Sequence, residues 1–347
     1  MKLKVSILAL GLISGSAFAS KARMAGLNQD DVRGSFYLND NRNVFRYANA
    51  INDMSSYVIT EYGTSSANGS GGSAEGGFFS QASGLNYGLY INSAAYGNVP
   101  GIDHDGNAGT ANLDPNRVDI IVGSSSNLDW GFRLGYASVQ SGDNNDGSGL
   151  DLSLAANVAG ADVWVNYTPA TTIKVTGTET EYAADMSFGA GYKMGEYTLF
   201  GEYQSEGFTE GSEAGTVLTA GVAQVVEKDG YKIITDLSVV SSSNYDADGT
   251  TFAEGDSALR MPVTLAFESS VNSWLQVRGS IQQSIFGSHT DSSNNDSETS
   301  GRTTKVAAGA SLFYEAIQID GTFASVSGTN FGLGTNFLTN VSATYRF

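Results

Sequence analysis

Along most of the chain, apolar and polar residues alternate one for one. Leu85, Tyr87, Leu89 and Ile91 stand against Asn86, Gly88, Tyr90 and Asn92; Trp130, Phe132, Leu134 and Tyr136 stand against Asp129, Gly131, Arg133 and Gly135. Leu150, Leu152, Leu154, Ala156 and Val158 oppose Asp151, Ser153, Ala155 and Asn157. Later runs set Leu259, Met261, Val263, Leu265 and Phe267 against Arg260, Thr264 and Glu268, and Val306, Ala308, Ala310 and Leu312 against Lys305, Ala307 and Ser311. Period two predicts strands whose two faces meet different solvents. The final stretch carries the same pattern, with Val341, Ala343, Tyr345 and Phe347 on one face and Asn340, Ser342, Thr344 and Arg346 on the other.

The runs are close to the ten residues that a tilted strand needs to cross a bilayer. In hydrocarbon such strands survive only in a closed barrel, because an open edge leaves backbone groups unpaired. The connections alternate too. Asn127-Leu128, Ala159-Gly160, Gly195-Glu196, Asp229-Gly230, Ser270 to Asn272 and Glu315-Ala316 read as tight turns. Between them lie polar loops at Ala94 to Asn116, Ser141 to Ser148, Thr209 to Glu213, Asn244 to Ser257, Ser288 to Gly301 and Gly328 to Thr339. The expectation is an all-β, antiparallel, up-and-down transmembrane barrel. Its sixteen strands fall at 56–64, 76–82, 85–93, 117–126, 128–140, 149–158, 161–168, within 171–193, and then 195–208, 214–228, 230–243, 257–269, 272–287, 302–314, 317–327 and 338–347. Fourteen is the next even count, since 171–193 reads as one interrupted strand or two and Glu75 to Ile91 as one long strand or two.

Residues 1–19 read as an export leader: Lys2 and Lys4, a short apolar run from Val5 to Ile13, and Ala17-Phe18-Ala19 as a small-x-small cleavage site before Ser20. That run is too short to span a bilayer as a helix, and no later run reaches the length that would. Residues 20–55 form an N-terminal segment and 56–347 the barrel. Four prolines and forty-three glycines suit strands with tight corners, and the absence of cysteine removes thiolate metal sites and Cys nucleophiles. The formal charge of −18 becomes −20 without Lys2 and Lys4. A chain this acidic has no electrostatic affinity for nucleic acid.

Residues 20–55 do not alternate, and they hold Lys21, Arg23, Arg33, Arg42 and Arg46, a large share of all the cations. Such a segment is either a tail or an insert in the lumen whose cations meet wall carboxylates; Arg42, Arg46 and Phe45 are the plug candidates. Strand parity turns Asp119, Asp151, Asp162, Asp185, Glu202, Asp236, Glu268 and Asp320 inward, together with Arg117, Arg133, Lys193, Lys232, Arg260, Arg278, Lys305 and Arg346. Parity also sends Trp130, Tyr136, Leu152, Leu265, Leu275, Tyr345 and Phe347 outward. The balance of signs predicts a wet, nearly neutral pore wall, since sixteen strands enclose an aqueous channel.

The loops carry an acidic excess, which would enrich cations at the mouth. One loop, Asp103-x-Asp105-x-Asn107 with Asp114 at the twelfth position, is a calcium candidate, although Ala108 stands where the turn wants Gly and Asp114 replaces a bidentate Glu. His104 and His289, beside Asp103 and Asp291, are the only histidines. No constellation looks built for catalysis, so neither an enzyme nor a cofactor is expected.

The alternation ending in Tyr345-Arg346-Phe347 resembles the C-terminal signature of porin-type bacterial outer-membrane barrels. That resemblance implies an outer-membrane location with the short turns periplasmic, contact with lipid and lipopolysaccharide, and recognition of Tyr345 and Phe347 by the barrel assembly machinery. It implies passive diffusion of small hydrophilic solutes, to which the acidic loops add a mild cation preference, and leaves monomer and homotrimer both open. More narrowly, Asp40-x-Arg42-Asn43-Val44-Phe45, Thr60-Glu61-Tyr62-Gly63 and Ala74-Glu75-Gly76-Gly77-Phe78-Phe79 resemble major outer-membrane proteins of predatory deltaproteobacteria. The opening is also similar to fatty-acid-transporter-like barrels with an N-terminal plug, but Tyr47-Ala48-Asn49-Ala50 lacks the proline of their Asn-Pro-Ala motif. A structural or adhesive barrel without an open channel is the remaining alternative.

Overall fold

A computed structural model describes residues 20–63, 73–93, 116–141, 145–175, 178–207, 213–245, 252–292, 296–298, 304–327 and 340–347. The strands, in chain order, are β1 (Tyr57–Gly63), β2 (Ser73–Ala82), β3 (Leu85–Ile91), β4 (Asn116–Ser124), β5 (Trp130–Ser141), β6 (Asn145–Val158), β7 (Ala161–Thr168), β8 (Thr171–Val175), β9 (Thr178–Tyr182) and β10 (Asp185–Met194). They continue as β11 (Tyr197–Glu206), β12 (Gly215–Lys228), β13 (Tyr231–Tyr245), β14 (Phe252–Asn272), β15 (Leu275–Asp291), β16 (Asp296–Glu298), β17 (Thr304–Tyr314), β18 (Ile317–Ser327) and β19 (Asn340–Arg346).

Sixteen of these form one closed antiparallel ring. Each pairs with the next, β7 passes directly to β10 and β15 to β17, and β19 returns to β1 with Tyr57 opposite Arg346 and Gly63 opposite Asn340. The ambiguous stretch at 171–193 is therefore a hairpin followed by a strand. Pro169 interrupts pairing after β7; β8 and β9 pair with each other and lean on Asp146 and Gly147 of β6, and the ring resumes at Asp185 opposite Thr168. Ser83-Gly84 likewise breaks 75–91 into two strands, both residues having positive φ as such a two-residue turn demands. The turn expected at Ser270 to Asn272 lies at Ser273-Trp274, because β14 continues to Asn272, which pairs with Leu275. β14 and β15 are also longer than expected, 21 and 17 residues, and pair into stretches read as loops.

The tight turns lie at the same end of the barrel as Ser56 and Phe347, where the Phe347 N–H donates to the Ser56 carbonyl. At this end Phe78 stacks on Phe347 (ring centroids 5.8 Å apart). The outer face is a continuous apolar band: Val58, Leu89, Tyr136, Leu154, Phe188, Leu265, Ile319 and Tyr345 all stand exposed on it. A band of this size has hydrocarbon, not water, as its matching solvent. Leu265, 52% exposed within β14, is the place to test it. Leu265→Arg is expected to destabilise the folded barrel in a bilayer by about 2–4 kcal/mol if it sits near the midplane, read from urea unfolding in vesicles; no loss of stability would mean this face does not meet lipid.

Candidate functional site in the barrel lumen

Residues 20–54 run inside the ring with little regular structure of their own. A six-residue helix (Lys21–Gly26) starts at Ser20, whose Oγ accepts from the Arg23 N–H. The Asp30 carboxylate accepts from the N–H groups of Val32 and Arg33, which folds the chain back. Two short 3-10 helices follow, Asn41–Phe45 and Ala48–Asp53, the first capped by Asp40 through the Arg42 N–H (2.8 Å). Helices this short do not stand alone in water. What fixes them is the wall.

Two apolar contacts and a set of ion pairs do so. Val44, Phe45, Ile51 and Met54 pack on Tyr57, Ile59, Phe79, Tyr90 and Ile121 of β1–β4. On the far side Met24, Leu27 and Leu38 pack on Ile234 and Ala266 of β13 and β14. Gly131 lets the second 3-10 helix lie flat on β5, since a Cβ there would collide with the backbone of Ala48 and Asn49.

Between these patches, Arg42 is 0% exposed and donates from Nη1 to Glu61 (3.1 Å), Glu75 (3.0 Å) and the Tyr90 hydroxyl (3.0 Å). Lys21 also pairs with Glu75. Arg23 makes a two-pronged pair with Glu268 (2.7 and 2.8 Å) and reaches Asp40 (3.2 Å). Arg33 and Arg46 share Glu202, which also accepts from the Trp164 indole N–H (3.0 Å), and Arg46 reaches Asp30 at 3.0 Å.

Burial opposes the charge on Arg23, but Glu268 and Asp40 outweigh it and raise its pKa; burial likewise opposes Arg42, and Glu75, Tyr90 and Glu61 raise it. Asp40 goes the other way. Burial pushes its carboxyl up to about 7 despite the pull of Arg23, with Glu61 adding to the rise.

The wall residues named from parity meet several different partners. Arg117, Asp119, Arg133 and Asp151 pair with one another at 2.7–2.9 Å, and Arg133 lies against the Phe45 ring. Glu202 and Glu268 pair with residues 20–54, while Asp320 holds Arg278 at 3.0 Å and Asp162 accepts from Asn49 at 3.0 Å. These side chains are buried against protein, either one another or residues 20–54. Asp185 is buried near the end opposite the tight turns, bonded by the Gly207 N–H (2.6 Å). Lys232, Asp236 and Arg260 are half-buried, Lys193 and Lys305 are exposed on the inner face, and the Tyr37 hydroxyl donates to Asp236 (2.7 Å). Arg346 donates to Gln318 at 2.7 Å.

Several partners had no signal in the alternation. Glu61 and Glu75 sit on strands where both faces carry apolar or small residues, and Trp164 lies on the inner face among them. His289 lies 3.6 Å from Asp256. The leader, His104 and the calcium candidates Asp103, Asp105, Asn107 and Asp114 lie outside the described residues. Among the described residues no group of three or more His, Asp or Glu is arranged to hold a metal ion.

No protein-family model and no curated protein matches the sequence. Solved structures resemble the chain at low identity. The CymD monoaromatic hydrocarbon channel is 11% identical over 96% of this chain and 98% of that one, with a TM-score of 0.45. A porin refined at 1.8 Å is 13% identical over 84% and 99% (TM-score 0.45), and a bacterial polysaccharide outer-membrane secretin 8% over 84% and 97% (TM-score 0.49). Scores below 0.5 assign the chain to no family.

Proposed function

We propose that the chain is a bacterial outer-membrane channel, exported with cleavage after Ala19, whose lumen is partly filled by its own N-terminal segment. The observation that carries this reading is the closed sixteen-stranded ring, apolar outside and charged inside, with residues 20–54 ion-paired to its inner wall. Small hydrophilic solutes diffuse through the space this segment leaves. On β13–β17, although Met24, Leu27 and Leu38 pack on Ile234 and Ala266 there, Lys232, Asp236, Arg260, Gln282 and Lys305 keep some exposure, while the inner face of β1–β5 is almost fully covered. The preference for cations is mild: acidic loops draw them to the mouth, but the inner charges that stay partly exposed include Lys232, Arg260 and Lys305.

Reversal potentials in a potassium chloride gradient test this. A small shift toward cation selectivity is expected at low salt, fading toward 1 M, where screening acts over only about 3 Å. Anion selectivity would defeat the loop argument. A second reading, a fatty-acid-transporter-like barrel with an N-terminal plug, is favoured by the buried placement of Arg42 and Arg46. Absence of any conductance step would support it over the diffusion channel.

A further inference from the structure

One patch of the inner wall, near the end opposite the tight turns, is built from oxygen-bearing side chains alone. It lies on β6, β7 and β10 and has two rows. In the first, Thr168 faces Asp185 in register and comes level with Asp151 on its other side, one step beyond the Leu152–Tyr167 pair. In the second, Asn166 pairs with Ser153 on one side and Ser187 on the other. All six residues are 7% exposed or less. Three of their oxygens, Asp151 Oδ1, Ser153 Oγ and Asn166 Oδ1, have no hydrogen-bond partner among the described residues. Turning the Asn166 amide over does not relieve this. Its Nδ2 donates to Ser187 Oγ (3.0 Å) and to the Arg46 carbonyl (3.2 Å), and a carbonyl only accepts. Buried oxygens left in this way are costly.

We propose that this patch binds one hard divalent cation of calcium size. Asp151 Oδ1 and Asp185 Oδ2 are its charged ligands, and Ser153 Oγ, Asn166 Oδ1 and Thr168 Oγ1 its neutral ones. Calcium takes about six to eight oxygens at roughly 2.3–2.6 Å, with carboxylate, amide and water oxygens among them. Asp151 and Asp185 stand two strands apart, about 9–10 Å between backbones. Two carboxylates leaning together over Thr168 close that span around one ion. Their other oxygens are engaged elsewhere: Asp151 Oδ2 holds Arg117 (2.7 Å) and Arg133 (2.8 Å), and Asp185 Oδ1 takes the Gly207 N–H (2.6 Å). Asp185 has two acids, Glu206 and Asp151, within electrostatic reach, so a cation beside it relieves like-charge repulsion. A water molecule satisfies the neutral oxygens but brings no charge to Asp185. The ion joins three wall strands where the ring passes over the β8–β9 hairpin. Through Asn166 it also braces the Arg46 carbonyl of the N-terminal segment.

The test uses the full mature chain folded in detergent micelles and freed of metal by dialysis against a chelator. Calcium chloride is titrated into it by calorimetry in about 0.1 M potassium chloride, which screens the exposed loop carboxylates. One saturable site per barrel is expected, with magnesium binding more weakly because it sheds its waters reluctantly. Asp185→Asn keeps the shape of the side chain and should weaken calcium binding at least about tenfold, and Ser153→Ala about threefold, as a charged and a neutral ligand are lost. Heat-dependent gel migration verifies that each variant is folded. Asp114→Asn, in the acidic loop with calcium-like spacing, should leave the affinity as it is. Loss in that variant alone would place the ion in the loop and overturn the proposal. So would magnesium binding as tightly as calcium, or equal calcium uptake by the parent and the Asp185→Asn chain. No saturable uptake by the parent, the result expected if water alone fills the patch, would overturn it as well. The readout is binding, so none of these results depends on whether the barrel conducts.

Discussion

A barrel refolded without residues 20–54 is expected to conduct severalfold more current than the full mature chain in the same planar bilayer. The closed wall does not depend on the segment for its backbone hydrogen bonds, since every ring strand is paired on both sides by its neighbours. Removal uncovers Glu61, Glu75, Glu202 and Glu268, but it uncovers them to water, which hydrates carboxylates well. Sixteen strands can then enclose an aqueous passage. Equal conductance with and without the segment would show that it does not obstruct the lumen.

Arg42→Ala should harm the seated state more than its size suggests. The side chain serves Glu61, Glu75 and the Tyr90 hydroxyl from one Nη1, and holds the Val32 carbonyl through Nε (3.1 Å) and Nη2 (2.9 Å). Truncation leaves Lys21 as the remaining cation against two carboxylates that the segment still covers. Breaking a buried pair in this way costs about 3–5 kcal/mol. Deletion of the whole segment differs, because water replaces it. The expected outcome is a folded barrel whose N-terminal segment has become sensitive to protease, with conductance between those of the full chain and the deletion. Double substitution with Glu61→Gln should recover part of the loss, because it removes one of the stranded charges. A variant as protease-resistant as the parent would mean that Arg42 is not what holds the segment.

The ring was legible because its strands have two solvents, and two solvents enforce period two. Where only one condition acts, the pattern fades. Residues 171–182 alternate well enough to pass for a barrel strand, but they form a hairpin outside the ring, which Pro169 and the resumption at Asp185 explain only once pairing is known. β14 and β15 pair into stretches that read as loops, since their polar residues suit a ribbon in water as well as a loop. The inner wall along β1 was hidden for a different reason. Tyr57 and Ile59 face the segment while Val58 and Tyr62 face outward, so both sides are apolar and Glu61 looks incidental. The excess of cations in residues 20–55 could be counted from the sequence, whereas their partners could not. Glu202 is 156 residues from Arg46 and Glu268 is 245 from Arg23. Charge counting gives no account of such distances.

The absence of cysteine makes a direct test of the segment's position straightforward. The Asn340 amide at the end of β19 opposite the tight turns donates to the Asp31 carboxylate at 3.2 Å, a contact that exists only if the N-terminal segment reaches deep into the lumen. A chain carrying both Asp31→Cys and Asn340→Cys, folded in native membranes under mild oxidation, should form one intramolecular disulfide in most molecules. Either single variant should form none. A double variant that stays reduced while its barrel is folded would contradict a lumen filled by residues 20–54.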